Sequence, residues 1–204
     1  MLIWFATGNE HKRRELASIL PETELRIPSD AGIDFEPDEN GETFLENALI
    51  KAKALYRIVR EPVIADDSGL CVDALGGGPG VRSARYGAED GRRLDAAARN
   101  ALLLRELGNE TNRAARFVCA MTLLFDEYRF FAAQETLEGE LLREQRGLGG
   151  FGYDPVLYLP DRGCTVAELP EDIKNRLSHR ARAADALRVH LGAVMGRQRG
   201  ERFF

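Results

Sequence analysis

Leu2-Ile3-Trp4-Phe5-Ala6-Thr7-Gly8-Asn9-Glu10-His11-Lys12 joins an apolar run to a polar turn and then to a helical pattern, and that order predicts an α/β fold. Leu2 to Ala6 reads as a buried strand. Gly8 lets the chain turn sharply after it. Asn9 caps a helix expected to reach about Leu20, with Leu16, Ile19 and Leu20 as its apolar stripe and Pro21 as its stop. The first amides of that helix are expected to point outward as free donors, with Lys12 one turn in, which suits a polyphosphate. The same turn also occurs without any ligand, and no Gly-x-x-x-x-Gly-Lys-Ser/Thr loop occurs in the sequence.

Working outward, Thr43-Phe44-Leu45-Glu46 has capping-box spacing, and Leu45, Leu49, Ala52, Tyr56 and Val59 follow at helical intervals. That helix leads into the apolar run Pro62-Val63-Ile64-Ala65, read as a second buried strand that ends at Asp66-Asp67-Ser68-Gly69. Residues 91–107 are expected to be helical. Ala114 to Phe125 and Phe130 to Leu142 read as antiparallel strands around Asp126-Glu127, so the sheet is expected to be mixed. The last helix spans residues 179–194, with Ala181, Ala184, Leu187, Leu191 and Val194 on one face and Ser178 as its N-cap. No repeat or linker divides the chain, so residues 1–195 are read as one domain and 196–204 as a frayed C-terminal tail.

The adjacent carboxylates carry the strongest chemical signal. Two anions side by side repel unless a cation or hydrogen-bond donors compensate, and hard oxygen ligands favour Mg²⁺ or Mn²⁺. The plain alternative is an Asx-type turn closing the strand. The acidic loop from Asp34 to Glu42 either stays a solvated surface or folds towards Asp67, in which case Glu39, or else Asp38, completes a metal site. The loop from Leu75 to Tyr86 is rich in glycine without dinucleotide-fingerprint spacing, and it serves either as a structural turn or as the mouth of a site. Glycines around Phe151 leave its ring free as a stacking platform for a base, or else the turn is packed by two core aromatics. Lys174 offers a point charge for phosphate, and His179 and Arg180 can donate to a carbonyl.

Composition narrows the partners. The chain has 204 residues, 44% hydrophobic and 30% charged, with a net charge of −5, which gives no basic footprint for a nucleic-acid polymer or an anionic membrane. Four of the 28 basic residues are lysines, so each lysine is worth locating. Cys71, Cys119 and Cys164 form no Cys-x-x-Cys, and His11, His179 and His190 lie far apart, so neither a disulfide framework nor a histidine metal centre is expected. A reduced cytoplasmic setting follows, with no targeting or membrane-spanning segment expected.

Thr7-Gly8-Asn9 with Lys12, Glu46-Asn47-Ala48, Ala65-Asp66-Asp67-Ser68-Gly69, Gly76-Gly77-Gly78-Pro79-Gly80 with Ser83-Ala84-Arg85-Tyr86, Phe151-Gly152-Tyr153-Asp154-Pro155 and Ser178-His179-Arg180 together resemble the inosine/xanthosine triphosphate pyrophosphatases, the Ham1-like family. The likeness runs from residue 2 to about 192. It implies an elongated mixed sheet flanked by helices in two lobes, with a central active-site cleft, assembled as a homodimer. The implied activity is Mg²⁺-dependent hydrolysis of ITP, dITP and XTP to the monophosphate and pyrophosphate, with Mn²⁺ as a substitute. By the same resemblance Asp67 is the catalytic base or the ligand activating a metal-bound water, and Glu39 and Asp66 complete the metal environment. Thr7, Gly8, Asn9, Glu10, His11 and Lys12 cradle the triphosphate. Ser68 touches the substrate, Lys174 neutralises pyrophosphate, Phe151 stacks on the base, Asp154, His179 and Arg180 line the base pocket, and Gly152 and Tyr153 bind the substrate beside them. The alternatives are a related pyrophosphatase for pyrimidine or modified nucleotides, a non-catalytic nucleotide-binding module, and an aspartyl-phosphate phosphatase, the last disfavoured by the adjacency of the two aspartates.

Overall fold

In the computed structural model, which describes residues 2–89 and 91–198, the opening stretch forms β1 (Leu2–Phe5) and α1 (Glu10–Ile19). Asn9 is the N-cap, and its Oδ1 accepts from the amides of His11 at 2.9 Å and Lys12 at 3.2 Å. The cap therefore consumes two of the amides that the sequence reading left as free donors for phosphate.

After β2 (Glu24–Arg26), α2 (Phe44–Val59) begins on the expected capping box: Glu46 N donates to Thr43 Oγ1 at 3.1 Å, and Thr43 N donates to Glu46 Oε2 at 3.0 Å. Its buried face is Phe44, Asn47, Ala48, Lys51, Ala52 and Leu55, a helical stripe with two polar members. β3 spans Val63–Val72, so Asp66 and Asp67 lie inside a strand. That corrects the expectation that the strand stops at Ala65, and it removes the Asx-turn alternative. Gly69 permits the continuation, because a Cβ there would stand 2.4 Å from Ser83 Oγ and 2.5 Å from Gly80 O.

α3 (Ala96–Leu107) starts later than residue 91, because Asp95 accepts from Ala98 N and sets the N-terminus. β4 (Ala114–Asp126), β5 (Arg129–Leu141), β6 (Leu157–Leu159) and β7 (Cys164–Thr165) complete a seven-stranded sheet of order β2-β1-β3-β4-β5-β6-β7. β1 pairs parallel with β2 and β3, whereas β6 pairs antiparallel with β5 and β7, so the sheet is mixed, as expected. The chain closes with α4 (Glu171–Leu177) and α5 (His179–Gln198). Ser178 N donates to Lys174 O at 2.9 Å and closes α4 directly before α5. The rest of the expected tail, residues 199–204, lies outside the described residues, as does the side chain of Val194.

The chain forms two compact units, one from residues 1–67, 119–135 and 179–204 and the other from residues 68–118 and 136–178. In the first, strand alternation sorts the core. Ile3, Phe5 and Ile64 pack with Leu16 of α1 and with Ala181, Ala184, Leu187 and Leu191 of α5. Their neighbours Trp4, Ala6, Val63 and Ala65 pack with Ala52 and Leu55 of α2. Successive side chains of a strand point to opposite faces, so each strand serves both layers. The second unit has its own core of Leu70, Val72, Phe117, Leu137 and Leu157 with Leu103 and Leu107 of α3. Among the described residues, no helix is long and apolar enough to cross a membrane.

Candidate active site

The alternation that sorts the core also separates the two aspartates of β3. Asp66 faces α1 and α5: its Oδ1 accepts from Lys12 Nζ at 3.2 Å, and its Oδ2 accepts from Arg180 Nε at 3.1 Å and Nη2 at 3.0 Å. Arg180 also pairs through Nη1 with Glu15 of α1, and the guanidinium is only 1% exposed. Burial opposes the charge on Asp66, but Lys12, Arg180 and Lys51 outweigh it and hold the carboxyl well below the ordinary carboxylate range. The thiol of Cys119, 3.8 Å from Asp66 Oδ2, is pushed up to about 12 by burial and by that anion.

Asp67 faces α2. Lys51 Nζ donates to Asp67 Oδ1 at 3.0 Å, and Asn47 Nδ2 donates to Asp67 Oδ2 at 3.3 Å. Asn47 and Lys51 are four residues apart and lie on the buried stripe of α2, so one helix face grips both carboxylate oxygens. The same two residues reach the acidic loop: Lys51 Nζ lies 3.0 Å from Glu39 Oε2, and Asn47 Oδ1 accepts from Gly41 N at 2.9 Å. Glu39, of the two carboxylates weighed for this loop, is the one that meets Lys51. Burial raises the carboxyl pKa of Asp67 above its ordinary value despite Lys51 and Lys12. Lys51, at 7% exposure, is held charged by Asp67, Asp66 and Glu39 against the same penalty.

Lys51 and Asn47 are the residues that the sequence reading did not assign to the site. Their signal was available: a lysine and an asparagine four residues apart on an otherwise apolar stripe require buried partners. Asp66 and Arg180 sit differently from their sequence-based roles. Asp66 spends both oxygens on cations, and Arg180 pairs with Asp66 and Glu15. Thr7 is buried and its Oγ1 accepts from Asn9 N at 3.1 Å, while Gly8, Asn9, Glu10 and His11 are exposed beside Lys12. His179 is buried as the first residue of α5.

The remaining sequence-named residues belong to the second unit. Ser68 continues β3 beyond Asp67 and is half-buried. Lys174 Nζ lies 2.7 Å from Asp154 Oδ2 and 4.7 Å from the ring centroid of Phe151, while Asp154 Oδ2 also accepts from Phe151 N at 2.7 Å. Ring, carboxylate and ammonium thus form one cluster. Gly150 makes room for it: its φ is +70°, and a Cβ there would stand 2.0 Å from Asp154 Oδ2. Gly152 follows Phe151, and Tyr153 anchors the turn by donating its hydroxyl to Ser83 O at 2.9 Å. The first unit therefore offers a basic carboxylate, a second hard anion and two ammonium groups. The second offers an aromatic face with a cation upon it.

Residues 3–190 match the model of the Ham1 family. A dITP/XTP pyrophosphatase of Treponema denticola is 51% identical over 183 residues, covering 90% of this chain and 94% of that one. One from Geobacillus kaustophilus is 46% identical over 199 residues, covering 95% and 96%. Among solved structures, the Staphylococcus aureus Ham1 protein superimposes with a TM-score of 0.83 at 37% identity, covering 95% of this chain and 99% of that chain.

Proposed function

The chain belongs to the Ham1 family, and on that premise we propose that it is a nucleoside triphosphate pyrophosphatase that hydrolyses ITP, dITP and XTP to the monophosphate and pyrophosphate. The observation that carries the mechanism is the grip of Lys51 on Asp67 and Glu39, 3.0 Å from each.

Asp67 is the general base. Its raised pKa makes it a better proton acceptor than an ordinary carboxylate, and Asn47 and Lys51 orient its two oxygens. Asp67 takes the proton of a water whose oxygen bonds to the α-phosphorus as the bond to the β-phosphate oxygen breaks, and pyrophosphate leaves. Lys12 and Lys51 supply positive charge for the phosphates.

Glu39 and Asp67 are the candidate metal ligands. Among the described residues no three ligand side chains converge into a ready-made cage, yet these two carboxylates already share one cation. That donor set fits Mg²⁺, or Mn²⁺ in its place, which is commonly held by one or two carboxylates together with substrate phosphates. When bound, the ion supplies charge neutralisation and polarisation of the phosphates. Asp66 is left out of this set, because its oxygens are committed to Lys12 and Arg180.

Phe151 stacks on the purine, with Asp154 and Lys174 completing recognition; the cluster of ring, carboxylate and ammonium supports this reading. A site built around a 6-oxo group rejects the 6-amino group of adenine by leaving donors facing donors. The homodimer implied by the sequence resemblance and the cytoplasmic setting expected from the cysteines are part of the same reading.

The test is a Mg²⁺-dependent panel of ITP, XTP, dITP, GTP, ATP and dTTP that resolves pyrophosphate from orthophosphate. Pyrophosphate from ITP and XTP with little from ATP is expected. Preference for dTTP would discard the base-recognition residues, and orthophosphate release or no turnover would refute the mechanism.

A further inference from the structure

Asn100 lies in α3 on the face that carries Leu103 and Leu107 into the core of the second unit, and it is 0% exposed. A buried amide is destabilising unless hydrogen bonds offset its lost hydration. Its Nδ2 donates to Gly152 O at 3.0 Å and to Gln145 Oε1 at 3.1 Å, whereas its Oδ1 accepts no hydrogen bond among the described residues. A leucine would fill similar space without orphaning an acceptor, so the physical value of asparagine here lies in its donors.

Those donors act on a loop with unusual backbone freedom. Gly147, Gly150 and Gly152 all adopt positive φ, at 90°, 70° and 64°, so the segment around Phe151 has other conformations within reach unless it is tied. Asn100 ties the carbonyl one residue after Phe151. The preceding residue of α3, Arg99, lies 5.1 Å over the Tyr153 ring and donates to Ala84 O at 3.1 Å. Two consecutive helix residues thus grip the turn on either side of the Gly152–Tyr153 peptide.

We infer that Asn100 is a positioning residue for base recognition: by holding Gly152 O it sets the orientation in which the Phe151 ring meets the purine. The inference rests on the proposed function, in which Phe151 carries the base. Asn100 itself touches no substrate in this scheme.

The test compares Asn100→Leu and Asn100→Ser with wild type on ITP and ATP, alongside circular dichroism melting. Neither variant side chain can donate to Gly152 O, the first for want of a donor and the second for want of length. Expected is a rise of about tenfold in KM for ITP, with kcat within about twofold and a preference for ITP over ATP reduced by about tenfold, the loss of one well-placed hydrogen bond. A purely structural role would move the melting temperature and leave the preference alone. A folded Asn100→Leu with unchanged KM and preference overturns the proposal, and so does failure of both variants to fold, which would make Asn100 a stability residue. A wild type with no preference for inosine refutes the base-recognition reading before any variant is compared, and this inference falls with it.

Discussion

Replacing Asp66 with Asn should cost stability first, because the substitution strips the counter-charge from a buried cation. Asp66 and Arg180 are each 1% exposed, and the carboxylate accepts two hydrogen bonds from the guanidinium, at 3.1 and 3.0 Å, and one from Lys12 at 3.2 Å. The amide keeps the shape but removes the anion shared by Arg180 and Lys12, so that Glu15 faces two cations and one positive charge is in excess. Removing one partner of a buried pair costs about 3–5 kcal/mol. At about 2–4 °C per kcal/mol for a chain of this size, the melting temperature should fall by roughly 6–20 °C. Circular dichroism melts at neutral pH measure this directly. Adding Arg180→Met should recover part of the loss, since Lys12 and Glu15 then balance again. The pH dependence has a definite sign. The native carboxyl lies below its ordinary value of 3.8, so its stabilisation is fully present above that value and is lost as the pH falls below it. The gap between wild type and Asp66→Asn should therefore begin to close below about pH 4 and narrow progressively on further acidification. An Asp66→Asn protein melting within about 2 °C of wild type at neutral pH, well under the loss expected for a broken buried pair, would falsify the assignment of Asp66 as the counter-ion of Arg180.

Asp67→Asn should lower kcat for ITP by about 10²–10⁴ while leaving nucleotide affinity within about tenfold, as expected for a lost general base and read by steady-state kinetics with nucleotide-binding calorimetry. A comparable loss of affinity would instead make Asp67 a binding residue. Lys51→Met leaves Glu39 and Asp67 without the cation they share, so this variant should melt lower than wild type, and millimolar Mn²⁺ should raise its melting temperature more than it raises that of wild type. Equal shifts in the two proteins would place the metal elsewhere. Phe151→Ala should raise KM for ITP by about 5- to 150-fold, the range for one lost stacking contact of about 1–3 kcal/mol, with kcat changed far less; an unchanged KM would remove Phe151 from the base site.

Much of the architecture was legible along the chain because the signals are local. Asn9 and Thr43 begin helices through hydrogen bonds to amides two or three residues ahead, and the alanine and leucine stripe of α5 needs only a period of 3.6 to be seen. The Asp66-Asp67 pair, the acidic loop and the Phe151 turn were likewise visible as residue types in suggestive order. The end of β3 is not written in its own residues, since whether a strand passes through two carboxylates depends on cations contributed by other elements.

The sequence by itself determined the alternation of strand and helix, the mixed sheet, the family resemblance and the identity of the chemically capable residues, all of which follow from neighbours within about one helical turn or one strand pleat. The division of labour between the aspartates was decided only by tertiary structure. Adjacent residues of a strand face opposite ways, so Asp66 meets Lys12 and Arg180 from positions 54 and 114 residues distant, while Asp67 meets Asn47 and Lys51. Those partners come from three separate helices: the cations around Asp66 hold its carboxyl low, whereas burial outweighs Lys51 and Lys12 at Asp67 and leaves it high.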